Sequence, residues 1–180
     1  MKTLLSEDQL RVFVPLLRDL FAHVEKVRAS APLGLQVKRL QIPQGVSESI
    51  AAHVLNSGSL GVRLQVTPSR SRGDLEAATQ TGIPAKLEVK ATSETAFQQF
   101  GEKDLAADVL VWLHFDDFFW NPSQRSIWVH FLPKPRTVIP APTKMDLSKF
   151  LDIAHGKVLS TTVDLIKLLH LDQEAVGAGP

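Results

Sequence analysis

The stretch Ala85-Lys86-Leu87-Glu88-Val89-Lys90-Ala91-Thr92 alternates apolar and polar side chains with a period of two. That is the period of a β-strand, with Leu87 and Val89 on one face and Lys86, Glu88 and Lys90 on the other. A strand with one apolar face needs neighbouring strands and a second layer to cover it. The rest of the chain is therefore read outward from residues 85–92.

Upstream, residues 47–56 read as a short helix with Ser47 as N-cap, ended by Ser57-Gly58. Leu60, Val62, Leu64 and Val66 then alternate with Gly61, Arg63, Gln65 and Thr67, the pattern of a half-buried strand. A Ser- and Arg-rich turn at 68–73 leads into a second short strand at 74–78. A further turn at 80–84 precedes the strand at 85–92. Downstream, 94–105 is expected to be helical, 108–116 a central strand and 127–132 its neighbour, with the turn at Asn121-Pro122-Ser123. A turn centred near Asn121 pairs Trp112 with His130 and His114 with Trp128. Aromatic cross-strand pairs of this kind stabilise a sheet, so packing is the expected role of both histidines.

At the N-terminal side, 6–30 reads as a long helix. Leu10, Val14, Leu17, Leu20 or Phe21, Val24 and Val27 recur at spacings of three and four. Ser6 is its N-cap with Gln9 three residues on, and Pro15 is a point of kinking or restart. The apolar stripe packs on the domain core, with a subunit interface as the sharper alternative. A short strand is expected at 35–40 between breaks at 31–34 and 43–45. At the C-terminal side, four prolines make 133–142 an extended connector. Residues 146–171 read as helix, with Gly156 as the place for a break, and 173–180 as a frayed tail of small residues. The order is helix, helix, three strands, helix, two strands, helix. The fold class is α/β, a mixed central sheet of a three-strand meander plus further strands, flanked by helices. No internal repeat or linker divides the chain. The expectation is one domain over 1–180, with an N-terminal helical region at 1–45, a core at 46–132, and a connector with helices at 133–180.

With 180 residues, 44% hydrophobic and 22% charged, and a mean hydropathy of +0.02, the chain is long enough and apolar enough for a sizeable core. Twenty Lys and Arg against nineteen Asp and Glu exclude a strongly basic protein that coats nucleic acid indiscriminately. They leave room for a local basic surface. The absence of cysteine excludes disulfides, a cysteine zinc site and a thiol nucleophile. No apolar run approaches the ~20 residues of a membrane-spanning helix. The first residues turn acidic too early for a secretory signal, so a soluble, cytoplasmic protein is expected.

The chemistry lies between residues 72 and 92. Glu88 and Lys90, two apart on a strand, project to the same side. If Asp74 lies on the neighbouring strand, two carboxylates and one lysine converge. Two carboxylates suit Mg²⁺, which takes hard oxygen ligands and keeps several waters. The metal lowers the pKa of a bound water and neutralises phosphate charge, while a lysine holds or polarises the attacking water. A lone Glu-x-Lys is a common solvated strand face. Here the strand is apolar on its other side, and an Asp lies upstream.

Asp74 followed, after thirteen intervening residues, by Glu88-Val89-Lys90 resembles the active-site motif of the PD-(D/E)xK nucleases, the superfamily of most type II restriction endonucleases. The order of elements from 47 to about 132 is also that of the family core. The resemblance covers about half the chain and matches no single enzyme residue by residue. It implies that Asp74 and Glu88 are metal ligands, that the Val89 carbonyl is a further ligand, and that Lys90 is the catalytic lysine. Glu48, on the helix before the meander, would fill the place of the additional Glu of many members; in a first turn it also has a local role with the helix dipole. Gly73 stands where the motif has proline, and Glu76 rivals Asp74.

Arg63, Arg70, Arg72, Lys86 and Lys90 offer a local basic patch for phosphates, with Thr67, Ser69 and Ser71 as neutral additions. Asn121, Gln124 and Arg125, at a polar hairpin tip, are side chains suited to base readout, although Asp116 and Asp117 lie close by. The function expected is a Mg²⁺-dependent endonuclease of restriction type cutting double-stranded DNA at a short sequence. A palindromic target implies a homodimer. The alternatives are a repair or junction nuclease, and a non-catalytic DNA-binding or interaction domain. A Ser/His/Asp hydrolase is disfavoured because no Gly-x-Ser-x-Gly elbow is present.

Overall fold

The computed structural model describes residues 3–32, 35, 37–38, 40–59, 61, 64–69, 73–93 and 97–172. In chain order the elements are α1 (Glu7–Ser30), α2 (Gln44–Ser57), β1 (Val66–Pro68), β2 (Leu75–Ala77), β3 (Ala85–Thr92), β4 (Gln98–Phe100), α3 (Glu102–Leu105), β5 (Val109–His114), β6 (Ser126–Pro133), β7 (Thr143–Met145), α4 (Leu147–Ile153), β8 (Leu159–Asp164) and α5 (Leu165–Leu168). A 3₁₀ turn at Pro135–Thr137 interrupts the proline-rich connector.

β3 forms as its alternation predicts and joins a mixed six-stranded sheet of order β1-β2-β3-β5-β6-β8. Among the described residues of this sheet β3 and β5 pair parallel, and the other pairs are antiparallel. The architecture is α/β with helices flanking the sheet, and no helix among the described residues is long and apolar enough to cross a membrane. The β5–β6 register sets Trp112 opposite His130 and His114 opposite Trp128, as the turn near Asn121 requires.

Alternation divides the sheet into two faces. Leu75, Leu87, Val89, Val111 and Leu113 join a first hydrophobic cluster with α1 and α2. Leu110, Trp112 and Leu132 join a second, built with Phe100, Met145 and Phe150 from β4, β7 and α4. Burying a side chain such as Leu87 or Phe150 contributes roughly 1.5–3 kcal/mol. α1 starts with the predicted capping box: the Ser6 hydroxyl accepts from the Gln9 N–H at 3.2 Å, and the Gln9 carboxamide accepts from the Ser6 N–H at 2.9 Å. Pro15 lies inside this helix without ending it.

Five expectations are corrected. α2 begins at Gln44 after Pro43, so Ser47 is not its N-cap; buried within the helix, it donates to the Gln44 carbonyl at 2.9 Å. The first expected strand of the meander is shorter, Val66–Pro68, with Leu60, Val62 and Arg63 outside the described residues. At the described positions of 35–40 there is no strand. The expected helix over 94–105 is replaced by β4 and the single turn α3. Gly101 interrupts the segment, and pairing of β4 with β7 overrides local helical preference. The fifth correction concerns 146–171. α4 is capped by Asp146, whose carboxylate accepts from the Lys149 N–H at 2.8 Å, and it stops before Gly156 at φ +72°. The β-branched Thr161, Thr162 and Val163 then form β8 against β6.

Candidate active site

The site is built on the second face of β3. Glu88 and Lys90 project there because Leu87 and Val89 are drawn into the first cluster. β2 runs antiparallel beside β3 with Leu75 opposite Leu87 and Glu76 opposite Lys86. One step further along that register, Asp74 falls opposite Glu88. The Asp74 N–H donates to the Leu87 carbonyl at 3.2 Å, and its carboxylate Oδ2 accepts from the Val89 N–H at 2.9 Å. Both carboxylates are buried, Asp74 at 1% and Glu88 at 5% exposure. Gly73, in the place of the motif's proline, has φ +149°, a conformation that proline, fixed near −65°, cannot adopt. Glu76 sits opposite Lys86 and accepts from the Ser69 hydroxyl at 2.7 Å. The Asp74 carboxylate is thus bonded to the backbone of the Glu-x-Lys strand.

Two further residues complete the cluster, both from α3 and both missed in the sequence. Lys90 Nζ lies 2.9 Å from Asp104 Oδ2 and 3.5 Å from Glu88 Oε1. Lys103 Nζ, on the more exposed rim, lies 3.6 Å from Glu88 Oε2. Asp104 is fixed by the Gly101 N–H, which donates to its Oδ2 at 2.8 Å. The signal available was Gly101 followed three residues later by Asp104, a helix start whose acid turns back onto the cap.

Burial pushes the Glu88 carboxyl up to about 7, aided by its hydrogen bond with Asp104 and by the Asp74 charge, and opposed by Lys90. Burial also acts to raise Asp104. The Gly101 N–H, Lys90 and Glu88 outweigh that and hold it below the ordinary carboxylate range. Two facing carboxyls share a hydrogen bond only through a proton, and below about pH 7 Glu88 carries it. A cleft of about 750 Å³ opens beside β3, lined by Gln44 and Ser47 of α2, by Glu88, Val89 and Lys90, and by Gln98 of β4, while Asp74 and Asp104 are not among its lining residues.

The other predicted site residues lie elsewhere. Arg63, Arg70 and Arg72 fall outside the described residues. Lys86 is exposed opposite Glu76, with its backbone N–H on Asp108 Oδ2 at 2.8 Å. Glu48 is 1% exposed in the second turn of α2, not in the first, and is not among the residues lining the cleft. Asn121, Gln124 and Arg125 have internal partners. The Asn121 amide donates to Asp117 at 2.6 Å and the Gln124 amide to the Ser126 carbonyl at 2.9 Å, while Arg125 reaches Asp164 and Asp172. Arg18 of α1 donates to the Asn121 and Gln124 carbonyls, which fixes this corner against the helix.

The Trp and His pairs have packing partners. Trp112 Nε1 donates to the Thr92 hydroxyl at 2.8 Å, which lies 3.1 Å from His114 Nδ1. His130 Nδ1 is 2.8 Å from the Ser160 hydroxyl, and burial together with His114 presses its pKa down to about 4.

Among the described residues no three His, Cys, Asp or Glu side chains form a ready-made metal cluster. Comparison of the chain with protein-family models, with curated proteins and with solved structures gives no match.

Proposed function

We propose that this chain is a Mg²⁺-dependent endonuclease that hydrolyses phosphodiester bonds in double-stranded DNA at a short sequence, in the manner of a type II restriction enzyme, acting in the cytoplasm. One observation supports this reading above the others. The Asp74 carboxylate is hydrogen-bonded to the Val89 N–H of β3, Asp74 falls opposite Glu88 in the register, and Lys90 follows on the same face as Glu88.

The residues present fit a hard divalent cation. Both acids are oxygen ligands, Glu88 Oε2 is buried and makes no hydrogen bond, with the Lys103 ammonium 3.6 Å away, and the Asp74 charge works against ionisation of Glu88. A cation relieves that repulsion. Asp74 and Glu88, with the Val89 carbonyl, would hold it, and Mg²⁺ completes such a partial set with water. When bound, it supplies Lewis acidity toward the phosphate and a more acidic water. Lys90, held by Asp104, would orient the attacking water. Lys103, on the rim, would meet the phosphate oxygens. Water then forms the new bond to phosphorus, the P–O ester bond breaks, and the leaving oxygen takes a proton. Lys86 and the arginines 63, 70 and 72 are proposed for the DNA backbone, and Asn121, Gln124 and Arg125 for contacts at the tip.

The test is incubation of the protein with plasmid and Mg²⁺, with Lys90→Ala and Asp74→Ala alongside. Discrete fragments from the wild type alone support the restriction reading. Cutting confined to branched or damaged DNA moves the proposal to a repair or junction nuclease. No cleavage under any divalent metal, or equal cleavage by Lys90→Ala, sinks it.

A further inference from the structure

α1 carries two apolar stripes, and the protein uses one. Leu10, Val14 and Phe21 face inward and are buried in the first cluster. A second row, Phe13, Leu16, Leu20, His23 and Val27, recurs at intervals of three and four. Its four apolar members are between 45% and 60% exposed. Val12, beside it, is 56% exposed, and Val27 and Leu35 line a shallow hollow past the helix end. A helix packed on one core needs one stripe; a second at heptad spacing is the seam of a helix pair. Exposed apolar rows of this length mark interaction surfaces.

We propose that this row is the contact between two copies of the chain, paired antiparallel through α1 about a two-fold axis near residues 21 and 22. The charges beside the seam favour a second copy in this orientation. Asp19 and Lys26 are exposed, seven residues apart, in the position preceding Leu20 and Val27. With Leu20 facing His23 and Leu16 facing Val27 across the axis, Asp19 of each copy comes beside Lys26 of the other, twice per dimer. A parallel pair sets each charge level with its own copy. The contact is isologous, so it closes at two. The seam lies outside the Glu88 cleft, and the inference stands independently of the nuclease reading.

Sedimentation equilibrium of the full chain tests it without reference to DNA cleavage. The wild type is expected at twice the protomer mass, and Leu16→Glu/Leu20→Glu as a monomer with an unchanged circular dichroism spectrum. Asp19→Lys and Lys26→Asp singly are expected to raise the dissociation constant about tenfold, and the double reversal to restore it. Because the chain has no cysteine, single cysteines report orientation with a short thiol cross-linker. Leu20→Cys is expected to link to its own copy and Phe13→Cys is not. A monomeric wild type, a dimer indifferent to the Leu16→Glu/Leu20→Glu change, or cross-linking at both positions overturns the proposal.

Discussion

On one face of the six-stranded sheet, Leu75, Leu87, Val89, Val111, Leu113, Ile127 and Val129 are all apolar and all covered by the first cluster. On the other, the same strands present Glu88, Lys90, Thr92, Trp112, His114 and His130, and only part of that face lies in a hydrophobic cluster. Neighbouring residues of one strand thus meet opposite requirements. The first face stabilises by removing area from water, and its members are interchangeable within limits of volume. The second holds charges in a low-dielectric setting, where each group depends on a specific partner.

The sharpest test of that contrast is a charge moved to the apolar face. Leu113→Asp places an unpaired carboxylate in a fully buried position. It is expected to abolish cooperative folding, a loss above about 4 kcal/mol, seen as absence of a thermal transition by circular dichroism. A charge removed from the polar face should act the other way round. Lys90→Ala is expected to keep the fold at a cost of about 1–3 kcal/mol, because Asp104 loses its 2.9 Å partner, and to lower plasmid cleavage by roughly 10²–10³-fold.

Between these lies Gly73→Pro, which restores the motif's proline where the backbone sits at φ +149°. The substitution is expected to destabilise by about 2–3 kcal/mol, read as a fall in denaturant midpoint at constant slope.

A smaller effect separates two groups of the polar face by pH. Glu88 titrates near 4.5 in the unfolded chain and at about 7 when folded, so the folded state binds the extra proton between those values. Its contribution to the stability of the metal-free protein is present below about 4.5 and is lost as pH rises through about 7. His130, pressed down to about 4, gives the opposite slope between its ordinary 6.5 and 4. Glu88→Gln is therefore expected to leave a curve that rises with pH over that interval, measured by urea denaturation. A curve identical to that of the wild type would refute the assignment of this proton.

The smallest is Thr92→Val, which leaves the buried Trp112 N–H without its acceptor, for about 1–2 kcal/mol and no change in cleavage.

Both faces were legible along β3, β5 and β6, because alternation over six or eight residues is set by burial, and burial writes itself into residue type. The Trp112–His130 register followed from turn position alone. β4 and β7 were not legible. Three-residue strands carry no period, and their existence depends on a partner more than forty positions away in the chain. β8 left a trace in Thr161, Thr162 and Val163, which helical spacing of the surrounding leucines obscured. At the site, Asp74, Glu88 and Lys90 share the spacing that brought them together. Asp104 reaches Lys90 only through tertiary packing of the crossover. Ser47 has the residue type of a cap, but the helix starts one turn earlier, after Pro43, and the Ser47 hydroxyl turns to the Gln44 carbonyl inside it.

α3 is four residues long, far below the length at which a helix persists in water on its own. It is kept in place by Leu105, buried in the second cluster, and by Asp104 on the Gly101 N–H. The ammonium of Lys90 takes its nearest contact from this turn. Its position thus depends on how much of the time this turn is closed, and amide hydrogen exchange at Leu105 and Ala106 reports the fraction in which the lysine loses that contact.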